Sequence, residues 1–230
     1  MTLDPLPWDG HEASLRRRGM CAEHFVEALG ASNTERRMCV HRHSAKSGPG
    51  YYAYNGMLTS LSGQMCSGNE WEREDPLSMP LLINRGRKMV LAVSSGDRFT
   101  GLRIPGHRPR SKNPKGDLTR ELARLNQVAN AEAGLFKVAK TPLHKLLSEH
   151  KLLSELENFT FWLTLVFFDR DKREIRCEVS QPRKLTSRGQ VSEYYLRTIL
   201  PPYSLSDSDF PDEGDPNDGF GPITFDVPRR

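Results

Sequence analysis

The chain reads as an α+β protein, a mostly antiparallel sheet built from hairpins with about four flanking helices. Three observations lead there. Apolar runs of strand length come in pairs separated by turn residues, at 51–61, 80–94 and 159–180. Leucine-rich stretches with helical spacing stand apart from them, and the order of the two kinds lacks the alternation that builds a parallel sheet.

Taken in order, Asp9 caps a first helix reaching Leu29, with Leu15, Ala22, Phe25, Val26 and Leu29 on one face. Gly30 stands where a left-handed closing residue is wanted, and Gly19 weakens the middle. A short strand is expected over Met38 to His43. After Ser47-Gly48-Pro49-Gly50 the pattern predicts a hairpin: Tyr51 to Tyr54, an Asn55-Gly56 turn, then Met57 to Leu61. Asn-Gly suits a turn whose two central residues need positive φ. The stretch 63–76 has loop composition.

Pro80 to Asn84 and Lys88 to Ser94 read as two more strands, the second an unbroken apolar run typical of a sheet interior. A long loop follows from Ser95 to Gly116, punctuated by Gly96, Gly101, Gly106, Pro105, Pro109 and Pro114. Asp117 caps a second helix, with Leu118, Leu122, Leu125, Ala129 and Ala133 along one side and Gly134 closing it. Thr141-Pro142 opens a third, carrying Leu143, Leu146, Leu147, Leu153 and Leu156. The doubled hexapeptide at 144–149 and 150–155 does not match a helical period and carries no repeat architecture.

Phe159 to Phe168 is apolar on both faces and therefore a central strand. Arg173 to Ser180 alternates Ile175, Cys177 and Val179 with Glu174, Arg176, Glu178 and Ser180, the pattern of a half-exposed strand. A last helix is expected over Gln190 to Leu200, stopped by Pro201-Pro202. Residues 1–200 form one basic domain in this reading, and 201–230 a disordered acidic tail rich in Pro and Gly.

No apolar stretch approaches the length of a bilayer span, and the start of the chain lacks a signal-peptide pattern. The four cysteines, Cys21, Cys39, Cys66 and Cys177, are too scattered for a disulfide scaffold. These features point to a cytoplasmic protein with no membrane partner. The net charge of +4 conceals an asymmetry: from Pro201 onward seven acids face two bases, leaving +9 on the first 200 residues.

The strongest functional signal lies between Arg85 and Lys115. Arg85, Arg87, Lys88, Arg98, Arg103, Arg108, Arg110, Lys112 and Lys115 stand against a single acid, Asp97. Clustered cations on a Gly/Pro-rich loop suit a backbone of closely spaced phosphates, because their neutralisation releases counterions. Arginine adds a planar fork that grips phosphate or guanine with two bonds. Arg120 and Arg124, one turn apart on the following helix, extend the patch. The expected function is nucleic-acid binding, with DNA favoured over RNA, and Arg103, Arg108 and Arg110 as base readers if the loop enters a groove.

Other constellations carry less. Ser94-Ser95-Gly96-Asp97 follows a strand as phosphate loops do, yet matches no such motif and is ordinary turn composition. Cys21, His24, Cys39 and His41, with His43 and Cys66 as spares, are zinc-type ligands at unhelpful spacing, so no metal and no cofactor is expected. Asp169 and Glu178 are the best carboxylates for a Mg²⁺-dependent nuclease, but Ser180 stands where such a site wants lysine. His41 or His43 with Asn55 lacks a final histidine. Tyr51, Tyr52 and Tyr54 suit packing better than base stacking. A metal-dependent nuclease and a regulatory protein-interaction module are the alternative readings. The tail from Ser204 to Asp226, with Phe210, Phe220 and Phe225, is suited to a protein partner or to folding back on the basic loop.

Overall fold

The computed structural model describes residues 8–39, 45, 47–131 and 155–210. Its elements are α1 (Trp8–Arg16), α2 (Ala22–Cys39), α3 (Gly48–Cys66), β1 (Glu72–Glu74), β2 (Leu81–Asn84), β3 (Met89–Ser95), α4 (Asp117–Ala131), β4 (Thr160–Asp169), β5 (Glu174–Leu185), β6 (Val191–Ile199) and β7 (Tyr203–Ser204). The α+β class holds: among the described residues four helices accompany a seven-stranded, mostly antiparallel sheet. Strands β1 to β6 run in sequence order, β7 pairs with β5 beyond the end of β6, and only β3 and β4 are parallel.

Period-two alternation sends the side chains of each strand to two different cores. Leu82, Leu91, Val93, Trp162, Val166 and Cys177 meet Leu15 of α1, Phe25 and Leu29 of α2, and Met57 and Leu61 of α3. Leu81, Ile83, Val90, Ala92, Leu163 and Leu165 meet Leu122 and Leu125 of α4. Helices thus cover both faces, which is why β3 is buried along its whole length.

Several expectations are overturned. The first helix breaks at Gly19, whose φ of +68° ends α1, and α2 then runs through Gly30 to Cys39. The strand expected from Met38 therefore begins inside a helix, and residues 40–43 lie outside the described set. The hairpin expected around Asn55-Gly56 is the middle of α3. Tertiary packing overrides the local turn signal there: Ala53, Met57, Leu61 and Met65 recur every four residues and are buried. Gly56 lies against α2 so closely that a Cβ would stand 2.8 Å from the Ala31 carbonyl oxygen. That helix continues to Cys66, inside the stretch expected to be loop, and β1 follows. The expected third helix and the close of the second at Gly134 lie outside the described residues.

The expected last helix is the strand β6. Gly189, at φ +78°, turns the chain between β5 and β6, with Gly189 N–H donating to Thr186 O at 2.9 Å and Thr186 N–H to Gln190 O at 2.7 Å. Val191, Tyr194 and Thr198 then face inward. Pro201-Pro202 interrupts this edge, since proline cannot extend a ladder, and β7 resumes it.

Asn126 of α4 explains how the β5–β6 hairpin leaves the plane of the sheet. Pro182 cannot donate to β4, so the Asn126 amide fills the gap. Its Nδ2 donates to Phe161 O at 2.8 Å and Pro182 O at 2.9 Å, and its Oδ1 accepts from Phe161 N–H at 2.8 Å. The β5–β6 register shifts around Pro182, and Val191 is carried over the α4 face to meet the loop after β3.

Residues 203–204, inside the stretch expected to be tail, form β7. Leu205 is buried, and Asp209 sits among α2 residues: it accepts from Asn33 Nδ2 at 2.6 Å and pairs with Arg37 at 3.1 Å. The buried Arg36 guanidinium donates to the Asp209 carbonyl at 2.6 Å. No helix among the described residues is long and apolar enough to cross a membrane.

Candidate nucleic-acid interface

The loop between β3 and α4 is pinned at its root. Gly96 bridges Ser111, Lys112 N–H donates to Ser95 O at 3.0 Å, and Gly96 N–H donates to Val166 O of β4 at 2.8 Å. Ser111 also joins β6: its N–H donates to Val191 O and its hydroxyl accepts from Val191 N–H, both at 3.0 Å. The bonds from β3 through β4, β5 and β6 to Ser111 and back to β3 form a ring, and of the loop it closes residues 98, 103–108 and 110 are exposed.

The polar side of β5 faces into this ring, which corrects the half-exposed strand. Arg176, Glu178 and Ser180 are buried because the loop root and the curled β6 cover them. Glu178, 0% exposed, accepts from Ser180 Oγ at 2.7 Å, from Arg197 Nε at 3.0 Å and from the Arg197 terminal nitrogen at 2.5 Å. It also accepts from Gly101 N–H at 2.9 Å, while Arg197 donates to Leu102 O at 3.0 Å. The ion pair is therefore a latch on the loop backbone. Gly101 needs to be glycine: its φ is +70°, and a Cβ would lie 2.9 Å from Arg176 Cβ. Beside the latch, burial and then the negative charge of Glu178 push the Tyr194 phenol well above its ordinary range.

Asp97, the one acid in the loop, is half-buried. Burial raises its carboxyl above the ordinary range, an effect opposed by the backbone N–H groups of Phe99 and Arg110 and by the Arg110 charge. Phe99 N–H lies 3.0 Å from Asp97 Oδ1. The cations point outward. Arg98, Arg103, Arg108 and Arg110 are all exposed, and no ion pair joins any of them to a carboxylate of the described residues. Arg98 lies over the Phe99 ring at 5.0 Å, and Arg103 contacts His11 Nε2 at 2.9 Å.

The other cations named from the sequence divide differently. Arg85, Arg87 and Lys88 form the β2–β3 turn at the opposite end of β3, roughly 20 Å along the strand from the loop root. Arg85 lies 3.5 Å from Glu72 and 3.9 Å from Glu155, and Arg87 lies 3.7 Å from Glu70. Arg120 pairs with Asp117, and Arg124 with Glu121 at 2.7 Å. Lys112 and Lys115 belong to the root, where burial pulls the Lys115 ammonium down to about 8. The fold thus leaves four of the eleven residues exposed on one loop.

The carboxylates considered for catalysis are not brought together. Asp169 pairs with Glu174 across the hairpin and Glu178 with Leu165, which separates the two acids by roughly 13 Å along the strands. Arg176 lies 2.6 Å from Asp169 and Arg197 neutralises Glu178. Among the described residues no group of three His, Cys, Asp or Glu side chains is placed to hold a metal ion. Comparison with protein-family models, curated proteins and solved structures produced no match.

Three features escaped the sequence reading: the Glu178–Arg197 latch, the Asn126 bridge and the Asp209 anchor. A strand reading of 191–199 would have exposed the first. Arg197 stands opposite Ser180, diagonal to Glu178 in the register.

Proposed function

We propose that the chain binds a nucleic acid through the β3–α4 loop, with Arg98, Arg103, Arg108 and Arg110 contacting phosphates. One observation carries this reading: four exposed arginines sit on a loop whose root is fixed and whose lone acid is drawn onto the loop's own backbone. A held loop loses little conformational freedom on binding, so more of each arginine–phosphate contact appears as affinity. A cytoplasmic setting accords with cysteines that form no disulfide. The acidic residues beyond Phe210, with Phe220 and Phe225, are assigned to a protein partner or to competition with the polyanion for the same loop.

Fluorescence anisotropy over a salt series tests the proposal. Three phosphate contacts contribute about 2 to 3 units to the slope of log K against log salt. The triple variant Arg98→Gln, Arg108→Gln, Arg110→Gln is expected to lose that slope. Arg85→Gln, Arg87→Gln, Arg120→Gln removes as many charges from carboxylate-paired positions and is expected to retain most of it. Equal losses in the two variants would reduce the effect to net charge and remove the loop from the interface.

A further inference from the structure

The loop carries a second feature besides charge. The rings of Phe99 and His107 lie 4.7 Å apart at an interplanar angle of 33°. Phe99 is half-buried and His107 is exposed, so one ring supports the other from the protein side. His107 is held on that support by two further contacts. Its Nδ1 lies 3.1 Å from Pro105 O, and since a carbonyl only accepts, Nδ1 carries the proton and donates. The His107 backbone N–H also donates to Ile104 O at 3.1 Å, closing a tight turn that Gly106 makes possible at φ +76°. Arg98 covers Phe99 as well, so aromatic and guanidinium planes are gathered within the arginine cluster.

A buttressed, exposed ring among cations is what an unpaired nucleobase needs. The base stacks on the ring while the neighbouring phosphates meet the arginines. In a duplex both faces of an interior base are already covered by its neighbours, so such a platform discriminates in favour of a single strand. We infer that the exposed face of His107, supported by Phe99, is a stacking site for one unpaired base of a single-stranded nucleic acid. This rests on the loop being the nucleic-acid interface and adds the class of strand that it takes.

The test measures anisotropy with four labelled probes of about 12 nucleotides, within the span of common single-strand sites. They are oligo-dT, oligo-rU, a duplex, and an abasic strand with the same phosphates and no bases. The wild type is expected to bind oligo-dT and oligo-rU roughly tenfold tighter than the abasic strand. His107→Ala is expected to lose about that factor on the base-bearing strands and little on the abasic strand or the duplex. His107→Phe keeps an aromatic face without the imidazole and is expected to restore the preference, which also shows that the loop stays folded. Equal binding of abasic and base-bearing strands, or an unchanged His107→Ala variant, overturns the stacking site and leaves the phosphate interface intact. Failure to bind any of the four probes in dilute buffer overturns both.

Discussion

Replacing Glu178 with Gln tests the device that holds the loop. The carboxylate is fully buried and receives four hydrogen bonds, two from Arg197 and one each from Ser180 and Gly101. Gln removes the charge and turns an amide N–H₂ toward groups that are themselves donors. Breaking a buried pair by removing one partner costs about 3 to 5 kcal/mol, because the other charge is stranded. Arg197 keeps Leu102 O and its side chain is 19% exposed, so water softens the loss and the lower figure, about 3 kcal/mol, applies. With a urea m-value near 2 kcal/mol/M, the unfolding midpoint should fall by about 1.5 M.

Hydrogen exchange supplies a second readout. The Gly101 amide, which donates to Glu178, should lose protection more than the amides of β2. In the double variant Glu178→Gln, Arg197→Met the stranded charge is gone, so stability should recover part of the loss. A midpoint shift below about 0.3 M with unchanged Gly101 protection would refute the latch and the claim that the root is fixed through it.

Three other predictions concern the packing and the C-terminal segment. Gly56→Ala places a Cβ 2.7 Å from Glu35 Cγ and 2.8 Å from a backbone oxygen of α2. Overpacking of about 1 to 3 kcal/mol should outweigh the helix-propensity gain of up to about 1, and calorimetry should show a lower Tm. At Asp209, burial alone would raise the carboxyl, but the Ser206 hydroxyl and N–H, Asn33 and the Arg37 charge together hold it below the ordinary range. A depressed folded pKa gives stability that is whole above the unfolded value, about 4, and is lost as pH falls through the folded one. Asp209→Ala should therefore be less stable than wild type at pH 7, with the gap narrowing in acid denaturation below about pH 4. A gap independent of pH would show that the anchor is not the ionised carboxylate. Removal of 211–230 should tighten polyanion binding at low salt, and removal of 204–230 should in addition destabilise the fold by taking Leu205 and Asp209. Equal affinity of the 211–230 deletion and the full chain would exclude competition by the acidic residues.

The strands β2, β3 and β4 and the helix α4 were legible because their signals are local. Continuous apolar runs demand burial on both faces, and leucines every three or four residues after Asp117 demand one buried face. The long loop was legible too, from its glycines and prolines. The order of the elements points to a mostly antiparallel sheet, which holds, but it does not place the one parallel pair, β3 and β4, joined through the connection that carries α4. Nothing within either strand's own sequence distinguishes a parallel neighbour from an antiparallel one when both faces are buried.

Where local and long-range preferences conflict, only the assembled fold decides. Asn55-Gly56 favours a turn, and the packing of α3 on α2 outweighs it. The stretch 191–199 can be helix or strand by pattern, and the β5 ladder makes it a strand. The basic composition of 85–115 is a property of the sequence, but neutralisation depends on carboxylates brought in from elsewhere, such as Glu155 to Arg85 and Glu70 to Arg87. Composition therefore determines that the protein carries an arginine-rich loop. Tertiary structure determines that four of those arginines stand exposed on one loop without an ion pair to a described carboxylate, because ion pairing acts through space and the chain's order does not encode which charges become neighbours.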